Sequence, residues 1–290
     1  MVQIENIGYG QEGNCFFIDT EKPALIDAGM AYFAEEQAER IRRRLDGREL
    51  EFIFLTHTHY DHAGGLPCIK KAFPHAVVVG SSKAARVLER QGARRVIREL
   101  GEEARLQYAQ AGSPSLSYDE DLFHVELEAG DGDQISLGNE NILILETKGH
   151  TNCSISFFLK RSRILIAAES AGFYLGGGKI SAPVLTGFSD CLESVEKCRA
   201  VNPQKLASCH FGVVDIPAEL YFELVEKDIC ETRDYLLDGL KAGVPEEELR
   251  ESYVERFWRE RPYLAKIQPE EAFRVNAQAT IHLVKKEFGL

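Results

Sequence analysis

Thr56-His57-Thr58-His59-Tyr60-Asp61-His62 follows directly on the apolar run of residues 51–55. Three imidazoles and a carboxylate so close together are uncommon as packing, because each buried polar group needs its own partner. Residues 51–55 read as a compact buried strand, and loops leaving strand ends are where a rigid scaffold presents reactive groups. Histidine and carboxylate are ligands of zinc, iron and manganese in hydrolytic sites, so the run reads as a metal-binding loop.

Outward from this loop the same placement recurs. His150, in Lys148-Gly149-His150-Thr151, follows a strand expected over 142–147, and His210 follows one expected over 205–208. Glu169 ends the apolar run Ile164-Leu165-Ile166-Ala167-Ala168. An acid in that position, taken alone, reads equally as a cap or a solvated turn. His75, His124 and His282 do not fit the pattern and read as surface or core residues.

Further short strands are expected over 2–7, 14–19, 24–27, 76–79, 123–127, 134–137, 154–159 and 163–167. Helices are expected over 30–45, 63–73, 81–111 with a break at Gly92, and 190–200, with a loop over 113–121. After Pro217 come three helical segments, 217–242, 245–261 and 269–288, each opening near a proline that suits a first turn. Two strand blocks with helices after each, then an all-helical tail, argue for a β-rich layered core with a helical appendage.

The pattern Thr-His-x-His-x-Asp-His, then Gly-His-Thr, then an acid after an apolar strand, then a late His, resembles the metallo-β-lactamase-fold hydrolases. Asn14-Cys15-Phe16-Phe17-Ile18, Leu25-Ile26-Asp27-Ala28-Gly29 and Gly130-Asp131-Gly132-Asp133 match as well, so the resemblance covers about residues 1–215. It implies an α+β fold, a four-layer αββα sandwich with a helical C-terminal extension. Residues 1–215 would be the catalytic domain and 216–290 an extension serving as lid or dimer surface. By this resemblance His57, His59 and His150 hold one divalent metal, Asp61, His62 and His210 hold a second, and Glu169 bridges them. Zinc is the first candidate, with iron or manganese as alternatives, and Asp61 is also the candidate catalytic residue.

A water between two such cations is a nucleophile near neutral pH, so no Ser or Cys nucleophile is required. Cys209, beside His210, accordingly reads as a packed thiol. The resemblance implies binuclear hydrolysis of a thioester, of the glyoxalase II or acyl-CoA type, or of a related ester. Two departures stand out: Glu169 where the family has Asp, and Lys148 where it has Pro. Two other readings are kept. One is a regulatory or binding member of the fold with little turnover, for which Glu169 would be the mark. The other is a mononuclear-iron enzyme of the persulfide dioxygenase type, which the presence of Asp61, His62 and His210 disfavours.

Composition narrows the partners. With 34 basic and 46 acidic residues the net charge is −12, so the overall field does not attract nucleic acid or an anionic membrane. No apolar run approaches the ~18 residues of a membrane span, and residues 1–6 lack the pattern of an export signal. Seven scattered cysteines with no C-x-x-C read as reduced thiols. The expectation is a cytoplasmic protein with a small-molecule substrate, no nucleic acid or membrane partner, and a homodimer as a possible assembly.

Two further features bear on the substrate. Lys83, Arg86, Arg90, Arg94 and Arg98 recur at helical spacing. They read as a solvated face paired with Glu99, Glu102 and Glu103 rather than as a grip for the 3′-phosphate of coenzyme A. In the tail, Phe222, Tyr235, Tyr253, Phe257, Trp258, Tyr263 and Phe273 suit an acyl-pocket lid, a dimer surface or a separately packed subdomain.

Overall fold

The computed structural model describes residues 2–8, 15–109, 119–266 and 268–290. Asn14 of the expected second strand, residues 110–111 of the expected helix and residues 113–118 of the expected loop lie outside the described residues.

The first half runs β1 (Gln3–Asn6), β2 (Phe16–Asp19), β3 (Ala24–Ile26), α1 (Ala34–Leu45), β4 (Phe52–Phe54), α2 (Tyr60–Ala63), α3 (Leu66–Ala72), β5 (Val77–Gly80), α4 (Ser82–Leu88), α5 (Gln91–Tyr108) and β6 (Leu127–Glu128). Its six strands form one sheet in the order β1-β2-β3-β4-β5-β6, with β3 to β6 parallel. Strand side chains alternate between faces. Phe17, Leu25, Ile53 and Val78 point outward onto the helices, where Ala34, Ala38, Ile41 and Leu45 of α1 supply the apolar stripe. Phe16, Ile26, Phe54 and Val79 point inward. Strands buried on both faces explain the nearly continuous apolar runs in the sequence.

The second half runs β7 (Gln134–Ser136), β8 (Asn141–Glu146), β9 (Ile155–Leu159), β10 (Ile164–Ala167), β11 (Phe173–Gly176), β12 (Lys179–Ser181), α6 (Phe188–Ala200), β13 (Lys205–Ser208), β14 (Gly212–Val213), α7 (Ala218–Lys241), α8 (Glu246–Val254) and α9 (Glu270–Phe288). The second sheet has the order β14-β13-β10-β9-β8-β7. Ile142, Ile144, Ile155, Phe157 and Ile166 face the first sheet, and Phe54 meets Phe157 edge-on at 5.3 Å between ring centroids. The other face packs on α6 and on the helical tail, whose Tyr221, Phe222, Val225, Ile229, Ile281 and Val284 share one core with Leu145, Phe158 and Leu165. The result is the expected layering of helix, sheet, sheet and helix, with C-terminal helices added.

Three local expectations are corrected, and two short features stand outside them. The break expected at Gly92 falls instead at Glu89–Arg90, where the extended backbone of Arg90 (φ −81°, ψ 117°) starts α5 and leaves Gly92 inside it. The strand expected over 123–127 shrinks to β6. There the Val78 N–H donates to the Glu126 side chain at 2.9 Å, so a carboxylate fills that rung of the ladder. The β11–β12 hairpin and the short β14 were not expected. Finally, the helix expected from Met30 begins as a 3-10 turn over Ala31–Phe33 before α1.

Candidate metal centre

All the expected site residues lie at the C-terminal ends of strands. The segment after β4 carries His57 and His59 on its loop and Asp61 and His62 on the short α2, while β8 leads to His150, β10 to Glu169 and β13 to His210. The two sheets bring these ends together. His57, His59, His150 and Glu169 place one donor atom each within 4.8 Å of one another, and so do Asp61, His62, Glu169 and His210. These are two His/Asp/Glu clusters consistent with a binuclear metal site.

Glu169 stands between them on a 3-10 turn, Glu169–Ala171, and is 6% exposed. Its Oε1 lies 2.9 Å from His62 Nε2, 3.1 Å from His210 Nε2 and 3.7 Å from His57 Nε2, while Oε2 lies 3.2 Å from His150 Nε2. One carboxylate thus faces both groups of imidazoles. Asp61 closes the other side, with Oδ2 at 3.6 Å from His62 Nε2 and 3.7 Å from His210 Nε2.

Three of the five imidazoles, those of His57, His62 and His150, are aimed by hydrogen bonds at their far nitrogens. His150 Nδ1 lies 2.9 Å from the Pro183 carbonyl, which can only accept, so Nδ1 carries the proton and Nε2 points inward. His62 Nδ1 donates in the same way to Asp27 Oδ2 at 2.8 Å. Thr56 Oγ1 donates to that oxygen at 2.7 Å, which leaves its own oxygen to accept from His57 Nδ1 at 3.0 Å. Orientation of one ring nitrogen by an oxygen acceptor is the usual arrangement of metal-holding histidines.

Asp27 and Thr56, which hold the rings of His62 and His57, stand within the quoted motifs but carried no expected role. Asp27 is 1% exposed and sits at φ +60°, and its Oδ1 also accepts the Thr56 N–H at 2.7 Å. Left-handed backbone at a residue with a side chain is a strain that surrounding contacts must hold. Here it turns the carboxylate from the end of β3 toward the loop after β4.

The electrostatics suit cation binding. Burial, then the nearby His62 and His59, holds His57 well below the ordinary histidine range. Burial, then His150, lowers His59 to about 4. Both rings are neutral with lone pairs to offer. Burial opposes charge on Glu169, yet His150 and His210 outweigh it and keep the carboxyl well below its usual range. His62 is the exception: burial opposes a proton there, but Asp61, Asp27 and the hydrogen bonds to Asp27 and Glu169 raise its pKa well above the ordinary histidine range, so a cation at Nε2 would take the place of a proton. His57 Nε2 is fully buried and has no hydrogen-bond partner among the described residues. An orphaned nitrogen aimed at a shared carboxylate, among imidazole and carboxylate donors, fits a divalent zinc, iron or manganese ion.

The other sequence readings find these places. His75, His124 and His282 lie away from the centre, the last two with side chains 45% and 64% exposed. Cys209 is 1% exposed, and burial raises its thiol pKa well above the usual range, as suits a packed thiol. None of Lys83, Arg86, Arg90, Arg94 or Arg98 lines the cleft, and Arg94 and Arg98 pair with Glu120. Lys148 pairs with Glu146 at 2.8 Å and does not line it either. The turn it opens is held by the Gly149 carbonyl, which accepts the N–H groups of Leu185 and Thr186 at 3.1 and 2.8 Å. Gly149 is at φ +122°, and an added Cβ would collide with the Sγ and backbone of Cys191. Gly149→Ala is expected to lower stability by about 2 kcal/mol or more, read as a fall in the thermal unfolding midpoint.

A cleft of about 720 Å³ opens above the cluster. His59, Asp61, His150, Glu169 and His210 form its floor. Leu100, Ala104 and Tyr108 of α5, Phe173 and Leu185, and Tyr253, Phe257 and Phe273 of the tail form its walls. Of the seven aromatic residues noted in the tail, those three reach the cleft, whereas Phe222 is 1% exposed in the core and Tyr235 packs on Phe257.

Comparison with known proteins adds the following. A family model described as the metallo-beta-lactamase superfamily matches residues 8–210. Uncharacterized protein YobT of Bacillus subtilis is 26% identical over 229 residues, covering 74% of this chain and 89% of its own. Hydroxyacylglutathione hydrolase of Ruegeria pomeroyi is 27% identical over 162 residues, covering 56% of this chain and 48% of its own. The solved structure of a metallo-beta-lactamase family protein from Thermus thermophilus superposes with a TM-score of 0.65 at 18% identity, over 100% of this chain and 93% of that one.

Proposed function

Because the chain belongs to the metallo-β-lactamase superfamily, we propose that it is a metal-dependent hydrolase cleaving a thioester or a related activated ester. His57, His59 and His150 would hold one divalent cation, Asp61, His62 and His210 a second, and Glu169 would bridge them. Bound there, such cations supply Lewis acidity and bring the pKa of water down toward neutrality. The observation that carries the reading is the division of one buried carboxylate, Glu169, between two groups of imidazoles.

The chain's own residues would do the rest. Asp61 lines the cleft and offers its carboxylate as acceptor for a proton leaving the attacking water. Phe173, Leu185, Tyr253, Phe257 and Phe273 would take the acyl part and keep bulk water from it. The extension 216–290 thereby serves as a lid. Hydroxyacylglutathione hydrolase, by its name, cleaves an acylglutathione, and the likeness supports a thioester as the first substrate class to test. Zinc is the first metal to supply, then iron or manganese.

The test is elemental analysis of protein purified with metal and without chelator, followed by rates on thioester, lactone and phosphodiester substrates. Two equivalents of metal and fastest cleavage of a thioester are expected. One equivalent or less would refute the binuclear centre, and faster cleavage of a phosphodiester would refute the substrate class.

A further inference from the structure

The C-terminal helices are tied by hydrogen bonds to the two turns that flank the centre. Tyr221 of α7, fully buried, donates through its hydroxyl to the carbonyls of Ala171 and Gly172 at 3.0 and 2.7 Å, on the turn that carries Glu169. Further along α7, Asp228 Oδ2 accepts the Ala182 N–H at 2.9 Å and its Oδ1 accepts from Arg261 at 2.6 Å. Arg261 also donates to the Ile180 carbonyl at 3.2 Å. The Thr280 hydroxyl of α9 lies 3.1 Å from the Val184 carbonyl and 2.9 Å from the Asn276 carbonyl of its own helix and shares its proton between them. Between these anchors lies Pro183, whose carbonyl accepts the His150 Nδ1–H at 2.9 Å.

We infer that Asp228 is a positioning residue for His150: by fixing the Ala182–Pro183 backbone it aims the imidazole, with Arg261 holding the carboxylate in place. The inference rests on the reading of His150 as a residue that holds metal. Asp228 is 8% exposed, and a carboxylate that deep must be compensated. Of its compensating donors, the Ala182 N–H belongs to the segment 180–182, and Arg261 binds the same segment through the Ile180 carbonyl. An ion pair that served packing alone would be replaceable by apolar residues at little cost. This one ties α7, through the Asp228 side chain and Arg261, to the backbone of Ile180 and Ala182. Pro183 itself presents only a carbonyl, so Asp228 is where a side-chain change reaches His150.

The experiment is a zinc competition titration against a chromophoric chelator, without substrate, so that contact of Asp228 with a ligand in the cleft plays no part. Loss of an orienting partner costs a metal-holding histidine about tenfold or more in affinity. Asp228→Ala is therefore expected to weaken one of two zinc equivalents by about tenfold and leave the other unchanged. Asp228→Asn, which keeps an acceptor for the Ala182 N–H, should stay near the parent. If Asp228→Ala does not fold, Arg261→Gln should show the same one-site loss in smaller measure. A folded variant of either kind with parental affinity at both sites overturns the inference, even if its melting temperature falls. So does Asp228→Asn binding as weakly as Asp228→Ala. A parent chain that takes up no zinc would overturn the reading of the centre itself, and this inference with it.

Discussion

His59→Ala is expected to lower turnover by more than about a hundredfold while leaving the fold in place, since loss even of an outer partner costs 10- to 100-fold. His59 is half-buried and stands at the N-terminal boundary of α2 in extended conformation (φ −66°, ψ 153°), without capping the helix through its side chain. Its Nδ1 lies 3.0 Å from His150 Nε2, and its ring is 4.6 Å from that of His57. Its ring contacts are with the imidazoles of His57 and His150 rather than with apolar side chains of a sheet. Removal therefore deletes one of three converging nitrogens and little packing. Activity, metal content and the unfolding midpoint of the variant should be measured together. Loss of about one equivalent of metal with a nearly unchanged midpoint is the expected result. Retention of more than a few per cent of turnover at saturating metal would show the site to be misassigned. Failure to fold would make the cluster a structural one.

The loop 56–62 is legible in the sequence because its donors are contiguous and follow directly on buried residues. Its distant members are legible for a related reason: His150, Glu169 and His210 each stand just past an apolar strand, where side chains leave the core. Asp27 is different. One carboxylate after one strand has no spacing signature, and its partners Thr56 and His62 become neighbours only when β3 and β4 pair in parallel. The wall that α5 gives the cleft is hidden likewise. The helix is polar overall, so its few apolar residues gain meaning only from what lies opposite, here Tyr253, Phe257 and Phe273. The β11–β12 hairpin had a signal in Gly176-Gly177-Gly178, all at positive φ. Its strands are too short for alternation to mark them.

The tail illustrates why aromatic content alone does not reveal a role. Phe222 lies in α7 and Phe257 just past α8, and both are buried, yet one packs in the core with Tyr221 and the other reaches the cleft. Which face of a helix meets a sheet and which meets a ligand depends on the docking of the whole segment. Side chains such as Tyr221, Asp228 and Thr280 take part in that docking by binding backbone elsewhere in the chain, beside the apolar core that the tail shares with the second sheet.

Glu169→Gln is expected to remove at least one equivalent of metal and most of the turnover. The turn that carries Glu169 is fixed by β10 behind it and by the Tyr221 hydroxyl on the carbonyls of Ala171 and Gly172 ahead of it, so the backbone does not shift to compensate. The carboxylate is the negative charge shared by both groups of imidazoles, and an amide of the same shape offers one acceptor oxygen and no charge. Two dications left without that charge repel across a buried site where screening is weak. Glu169→Asp makes the complementary test. It keeps the charge but withdraws it by about one carbon–carbon bond, ~1.5 Å. From contacts of 2.9 to 3.2 Å on both sides, a carboxylate withdrawn that far reaches one group of histidines better than the other. The Asp variant should therefore retain metal, with a changed rate or metal preference. Metal stoichiometry and rate for both variants decide the matter. If Gln leaves both unchanged, Glu169 is a strand-end cap and the two clusters hold their cations without it.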